Sequence, residues 1–400
     1  MTADIATLLR ENAPRVLGVL VRRYGGFDQC EDAVQEALLD AARQWPVEGV
    51  PANPTGWLTT VAYRRWTEMQ RHETARRRRE TTAAMLEPPP APPAPAEDDS
   101  LLLLLMCCHP SLTPVSQVAL TLRAIGGLTT AEIARALLVP EATVGQRISR
   151  AKQRLRDAQL ALPPPDELAD RMVAVRHVLY LIFNEGYTAS SGPSLHRVQL
   201  SAEAIRLTRQ LYGQRPDDGE VAGLLALMLL TDARRPARLG RDGALIPLAE
   251  QDRERWDRAA IAEGVALITA ALATAEPGPF QLQAAIAAVH DEAATAAETD
   301  WPQILILYDL LDRVAPGPMV TLGRIVALSM VEGPRAGLRE LAAAADDPVL
   351  AGHHRLPAVR AHLLDLIGDR KGARDAYELA ARRTLSLPER AYLESRARRP

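Results

Sequence analysis

Residues 128–155 read LTTAEIARALLVPEATVGQRISRAKQRL, and the spacing of their apolar side chains decides the fold of the middle of the chain. Ile133 and Leu137 recur at helical spacing, so we expect a short helix that Thr130 caps. A tight turn follows, and Pro140 suits the first position of the next helix, where its missing N–H costs nothing. The second helix places four apolar residues on one face: Val144, Ile148, Ala151 and Leu155. The stretch therefore predicts a helix-turn-helix.

The opposite face of this second helix is polar and basic. Arg and Gln side chains on such a helix can pair with base edges in the major groove of DNA. We expect the first turns of the helix to read bases and its later Arg and Lys side chains to contact phosphates. An ordinary charged helix in a bundle is the alternative, but the short helix, the turn and the basic face together favour DNA binding. The face comprises Thr143, Gln146, Arg147, Arg150 and Arg154.

The composition favours a protein of several domains that is almost entirely α-helical. The chain has 400 residues, 47% of them apolar and only 4% aromatic, with few β-branched runs. A net charge of −3 excludes a uniformly basic nucleic-acid coat but allows local basic patches. Three cysteines do not make a disulfide framework, and the longest aliphatic run, Leu101–Met106, is too short to span a membrane. We therefore expect a cytoplasmic protein without a membrane partner.

Two proline runs divide the chain. PPPAPPAPA at residues 88–96 is typical of an extended linker, and Pro163-Pro164-Pro165 is a second, shorter break. The two segments before the second break carry basic patches, whereas the remainder is acidic. The predicted organisation is a helical domain at 1–80, a linker at 81–99, the helix-turn-helix domain at 100–158 and a long helical extension at 166–400.

The N-terminal segment predicts a second small helical domain. Residues 32–45, DAVQEALLDAARQW, form an amphipathic pattern in which Leu39 lies among Asp32, Gln35 and Glu36 on the polar face. Single exposed leucines are common, but an apolar centre ringed by charges also suits docking of a partner helix.

Aromatic and basic residues alternate in the helix that follows. We expect Trp57 to fill a small core. Tyr63 and Trp66 either fill that core as well or act as stacking platforms for single-stranded DNA beside the neighbouring arginines.

These two segments resemble an extracytoplasmic-function sigma factor of bacterial RNA polymerase. Residues 28–79 are similar to sigma region 2 through DAVQEALLDAARQW, NPTGWLTTVAYRR and the arginine run after them. Residues 101–156 are similar to sigma region 4 through the helix-turn-helix that ends in TVGQRISRAKQRLR. The order and the proline-rich linker match as well. The chain departs from the family pattern in having Arg64, Trp66 and Glu68 where other residues are frequent.

The resemblance implies partners and site residues. The partners are core RNA polymerase, through its β′ clamp helices and β flap, and promoter DNA. The residues implied to dock on the β′ clamp helices are Asp32, Gln35, Glu36 and Leu39. Those implied to contact the −10 element are Asn53, Tyr63, Arg64, Arg65 and Arg71. Those implied to read the −35 element are Thr143, Gln146, Arg147, Arg150 and Arg154.

The extension at 166–400 is unusual for such a protein. Residues 356–383 resemble a tetratricopeptide unit, so we expect an α-solenoid that is regulatory, either by binding a regulatory protein or by docking on the DNA-binding domains. His354 and His362 could share a helix face but have no evident partner, and Cys107 and Cys108 are best interpreted as packed thiols. We expect no metal, no cofactor and no catalysis. The alternative is a stand-alone helix-turn-helix regulator in which the solenoid is a sensor.

Overall fold

A computed structural model describes residues 2–78, 100–137, 139–156, 165–241, 243–274 and 276–398. The described residues are almost entirely helical, so the predicted all-α fold class is confirmed. They pack into two compact units, Met1–Leu181 and Ile182–Pro400. The predicted proline-rich linker at 81–99 lies outside the described residues. None of the described helices is long and apolar enough to cross a membrane.

Among its described residues, the first unit contains seven helices and most of an eighth. They are α1 (Thr2–Tyr24), α2 (Phe27–Glu48), α3 (Pro54–Arg78), α4 (Ser100–Cys107), α5 (Pro114–Ala124), α6 (Thr130–Leu137), α7 (Glu141–Arg156) and α8 (Pro165–Tyr187). The boundary between the units falls inside α8, after Leu181, and not at the proline run before that helix.

Helices α1, α2 and α3 pack together around an apolar core. Apolar side chains recur every three or four residues on each helix, so one stripe of each helix is buried. Two glycines separate α1 from α2, Gly25 with φ 65° and Gly26 with φ 61°. This left-handed backbone is favourable for glycine, and it turns the chain sharply enough for α2 to fold back on α1. The largest buried members of the core include Leu17, Leu20, Phe27 and Leu58.

Helices α5, α6 and α7 form the predicted helix-turn-helix. The four apolar residues of α7 are buried, with exposures of 0%, 6%, 1% and 0% for Val144, Ile148, Ala151 and Leu155. The predicted cap was wrong by one residue. The Thr129 hydroxyl accepts from the backbone N–H of Glu132 at 3.1 Å, and the Glu132 carboxylate accepts the backbone N–H of Thr129 at 2.8 Å. This reciprocal pair needs an acid three residues after the cap, which Thr129 has and Thr130 lacks.

The second unit contains the end of α8 and eleven further helices among its described residues. These are α9 (Val198–Gln214), α10 (Gly219–Ala233), α11 (Arg258–Thr274), α12 (Pro279–Glu292), α13 (Trp301–Val314), α14 (Pro318–Glu332), α15 (Pro334–Ala344), α16 (Pro348–Ala351), α17 (Arg355–Leu366), α18 (Arg370–Arg383) and α19 (Leu387–Ala397). Most of these helices pack on their neighbours in sequence, which is the contact pattern of a solenoid.

The second unit also closes on itself. Strand β1 (Ser191–Gly192) lies near its start and pairs in parallel with β2 (Leu385–Ser386) near its end. Between those ends, the predicted helix pair at 356–383 is present as α17 and α18, joined at Gly368 with φ 82°. Its small residues let the two helices approach closely, and Ala361, Ala373 and Tyr377 share one buried cluster.

Candidate nucleic-acid interface

The basic face of α7 points away from its buried stripe. Gln146, Arg150 and Arg154 are exposed, and Thr143 and Arg147 are half-buried, so all five predicted residues share one side of the helix. Arg154 also donates through Nη1 to the backbone carbonyl of Ser111 at 3.1 Å, which steadies the C-terminal part of that face. The arrangement presents hydrogen-bond donors along one accessible helix face, as binding in a major groove requires.

Lys152 of α7 lies on a different side of the helix from these five residues. Its Nζ lies 2.7 Å from an oxygen of Glu31, 3.0 Å from Asp28 and 3.6 Å from Asp32, all on α2. Arg123 of α5 reaches the other Glu31 oxygen at 3.0 Å. The expectation that the lysine of this helix contacts phosphate is therefore wrong, because the ammonium is enclosed by carboxylates.

This ion cluster joins the two helical groups of the first unit. The side chain of Glu31 is 2% exposed and that of Lys152 is 12% exposed, so both charges are buried and paired. Burial, more than any other cause, raises the pKa of Asp32, while Lys152 opposes the rise. Sequence reasoning missed the cluster. Its one signal was Glu31 itself, an acid four residues after Phe27 on the apolar stripe of α2, where a charge needs a partner.

The outer face of α2 carries the predicted docking residues. Leu39 is 50% exposed, Asp32 and Glu36 are exposed, and Gln35 is half-buried. The structure thus brings the apolar residue and its charged neighbours to one accessible surface of the helix, as the amphipathic pattern predicts.

The predicted single-strand interface on α3 is divided between exposed and engaged side chains. Arg64 and Arg71 are exposed, whereas Arg65 donates to Asp40 of α2 at 2.7 Å and to Glu68 at 3.3 Å. The hydrogen bond to Asp40 is the main cause that raises the pKa of Arg65, and burial opposes this rise. Arg65 therefore holds α3 against α2. The Asn53 side chain accepts the Gly56 N–H at 2.9 Å and so supports the start of α3.

The aromatic residues of α3 form two separate contacts. Trp57 packs edge-to-face on the buried Trp45 at 5.5 Å, which agrees with the predicted core role. Tyr24 of α1 stacks on Trp66 at 4.2 Å and on Tyr63 at 5.9 Å. Tyr63 and Trp66 are both half-buried, so each packs α3 on α1 and keeps part of its surface accessible.

No group of three or more His, Cys, Asp or Glu side chains among the described residues could hold a metal ion. His354 instead lies 3.3 Å from Glu389. The interpretation of the adjacent cysteines as packed thiols is confirmed, since Cys107 and Cys108 are both buried. Burial raises the pKa of the Cys108 thiol to about 12, so that thiol stays protonated and unreactive.

Comparison with known sequences assigns a family to each part of this architecture. Residues 8–77 match Sigma-70 region 2, and residues 102–155 match Sigma-70, region 4. Residues 171–272 match a family of unknown function, DUF6596. An uncharacterised protein of Rhizobium meliloti is 39% identical over 390 residues, which cover 95% of this chain and 92% of that protein. No solved structure matches the chain.

The two matched regions and the helix-turn-helix define the class of protein as a sigma factor of the sigma-70 type, which acts in promoter recognition with core RNA polymerase and promoter DNA as partners. More narrowly, the chain belongs to the extracytoplasmic-function sigma factors and carries a C-terminal extension, part of which matches the DUF6596 family. Region 2 thus corresponds to α1–α3, and region 4 to α4–α7.

Proposed function

We propose that this protein starts transcription by docking α2 on the β′ clamp helices, reading the −35 element with α7 and holding the melted −10 strand on α3. The observation that carries the proposal is the basic face of α7, which lies opposite a fully buried apolar stripe and is therefore free to enter a groove. Region 4 would also contact the β flap. The protein itself would perform no chemical step.

Base reading by α7 has a direct test. Arg147→Ala should cost about 1–3 kcal/mol at one −35 position and relax the preference there, because a bidentate pair with a base is lost. Arg154→Ala should weaken binding to all sequences alike and reduce the salt slope by about one unit, because it removes one phosphate contact. Equal effects of both variants on every promoter would contradict the assignment of Arg147 to a base.

The −10 interface is proposed on α3. Arg64 and Arg71 are exposed and suit phosphate contacts, while Tyr63 and Trp66 suit stacking of unpaired bases. Arg65 would act through its ion pair with Asp40 by holding the helix in place. Asn53 lies in the loop before α3, where the resemblance places capture of a flipped base. Promoter opening, followed by permanganate reactivity of unpaired thymines, should fall in Arg64→Ala and in Arg71→Ala without loss of core binding.

Docking on core polymerase is proposed for the face of α2 around Leu39. Leu39→Asp should abolish co-elution with purified core enzyme, because an apolar anchor at the centre of the patch is replaced by a charge. Val47→Asp is the matched control, since Val47 is also an exposed aliphatic residue of α2 and is 85% exposed. Retained binding in Leu39→Asp would argue against this docking face.

The same variants separate the sigma factor from the stand-alone regulator. A sigma factor requires core enzyme for a footprint at the promoter, so Leu39→Asp should lose the footprint together with polymerase binding. A stand-alone regulator would protect DNA by itself, and the variant would have no effect on that protection.

Regulation by the extension is the final part of the proposal. Residues 182–400 of the extension form their own compact unit, which suits a module that responds to a signal. Run-off transcription with core polymerase should differ between the full chain and a chain that ends at Leu181. Ending the chain there keeps the part of α8 that packs in the first unit. Identical transcript yields would argue against regulation.

A further inference from the structure

The extension contains an open cavity of about 580 Å³ that no part of the proposed function uses. Its size lies in the range of pockets that bind small molecules. Four aromatic residues line it, Trp301, Tyr308, Tyr377 and Tyr392, together with aliphatic residues that include Val326 and Met330. All of these residues lie within the second unit.

Arg253 is a buried cation in the wall of this cavity. Its side chain lines the wall and is buried, with 9% of the residue exposed. Nη1 donates to the backbone carbonyls of His290 and Ala293, both at 2.6 Å, and the guanidinium lies 4.6 Å from the ring centre of Trp256. Within the described residues, no carboxylate lies within 4.0 Å of Arg253, and its Nε and Nη2 make no hydrogen bond.

The neighbouring cation shows the contrast. Arg234 lies over the same Trp256 ring, but it is paired with Asp291 at 2.5 Å and donates to the Ala287 carbonyl at 2.8 Å. A buried arginine is ordinarily paired, because an isolated charge in a medium of low polarity is costly. Arg253 therefore carries a buried positive charge that no carboxylate in the described part of the chain contacts, and Asp291 and Glu298 attract it only from beyond 4.0 Å.

The other polar groups of the lining do not form an ion pair with Arg253. Arg396 lies 2.6 Å from Asp365 and 3.6 Å from Glu250, so the Glu250 carboxylate of the lining is directed to Arg396 and not to Arg253. Burial first, and then Arg234 and Arg253, lower the pKa of His290 to about 3, so its imidazole is neutral at physiological pH. The cavity thus combines aromatic walls with a buried cation, Arg253, that no carboxylate of the described residues contacts.

We propose that this cavity binds a small organic anion, in which an aromatic or branched apolar body fills the aromatic walls and a single carboxylate or sulfonate lies on Arg253. Two oxygens of a carboxylate or a sulfonate can accept from the guanidinium fork, and the aromatic lining favours an apolar body over a sugar or a free phosphate. The proposal concerns binding alone, and it does not depend on whether the extension regulates transcription.

The test compares two fluorescent probes on the full-length protein. Anilinonaphthalene sulfonate is an aromatic body with one sulfonate, and phenylnaphthylamine is the same body without the charge. We expect the sulfonate to bind one saturable site at least about tenfold more tightly than the neutral probe. Equal affinity of the two probes would overturn the proposal.

Two pairs of variants locate the site. Met330→Trp should fill the lining and weaken sulfonate binding at least about tenfold, whereas Met319→Trp should not, since Met319 is also exposed on α14 but lies off the cavity. Arg253→Gln keeps a hydrogen-bond donor and should lower only the affinity for the sulfonate, to that of the neutral probe. Sulfonate binding that Met330→Trp leaves unchanged would show adsorption elsewhere on the surface and overturn the proposal, even if Arg253→Gln fails to fold.

Discussion

The ion cluster around Lys152 gives the sharpest test of how regions 2 and 4 are held together. Lys152→Met removes the ammonium and keeps a long, unbranched side chain of similar volume. The carboxylate of Glu31, only 2% exposed, would then lose its 2.7 Å partner, and Asp28 would lose its 3.0 Å partner. The variant therefore leaves buried negative charge without part of its compensation.

The expected cost follows from that burial. Removal of one partner from a buried ion pair costs about 3–5 kcal/mol. Arg123 remains 3.0 Å from the other oxygen of Glu31, and the side chain of Asp28 is 18% exposed, so solvent and one cation relieve part of the loss. We expect a value near the lower limit, about 3 kcal/mol, for the contact of α2 with α7.

Amide hydrogen exchange, measured on peptides from α2 and α7, reports the free energy of local opening in the full-length protein. Lys152→Met should reduce protection in both helices. Arg150→Met is the control, because Arg150 is exposed on the opposite face of α7 and its loss should change stability by less than about 0.5 kcal/mol. Unchanged protection in Lys152→Met, or an equal loss in Arg150→Met, would refute the reasoning.

Three further predictions concern the rest of the chain. Since burial and two arginines lower the pKa of His290 from 6.5 to about 3, the unfolded state takes up its proton first as the pH falls. Through His290 alone, the free energy of unfolding of the extension should therefore be about 2 kcal/mol lower at pH 5 than at pH 7. In urea titrations at the two pH values, His290→Gln should show a smaller difference than the unchanged protein. Gly223→Ala should destabilise by about 1–3 kcal/mol in thermal unfolding, because its Cβ would lie 2.6 Å from the backbone nitrogen of Gln281, whereas Gly213→Ala on open surface should stabilise by about 0.5–1 kcal/mol. All three thiols are buried, including Cys108, so a colorimetric thiol reagent should react with none of them until urea unfolds the protein, and rapid labelling of the native chain would contradict this.

The sequence was most informative where a local period dictates the structure. The apolar positions of α7 are set by 3.6-residue periodicity, so Val144 and Leu155 could be assigned to the core and Arg150 to the surface without coordinates. The same reasoning placed Leu39 at the surface of α2. The cap of α6 was misassigned by one residue because Thr129 and Thr130 are both good caps, and only the reciprocal hydrogen bonds with Glu132 distinguish them.

Contacts between distant residues were beyond such reasoning. Arg65 and Lys152 have the same basic character as their neighbours on α3 and α7, yet each is drawn to a carboxylate of α2. A helical pattern fixes which way a side chain points, but it does not show which acid of another helix lies opposite. The cavity at Arg253 was missed for the same reason, since its walls come from segments spread over residues 247–396.

By itself, then, the sequence determined the helical class and the outward faces of the helices, because periodicity acts over a few residues, and its resemblance to sigma factors indicated regions 2 and 4. The tertiary structure alone decided which charges are buried in pairs and where the helices of the extension form a cavity. Those features depend on side chains that are far apart in the chain, and only the packing of the helices brings them within a few ångströms of one another.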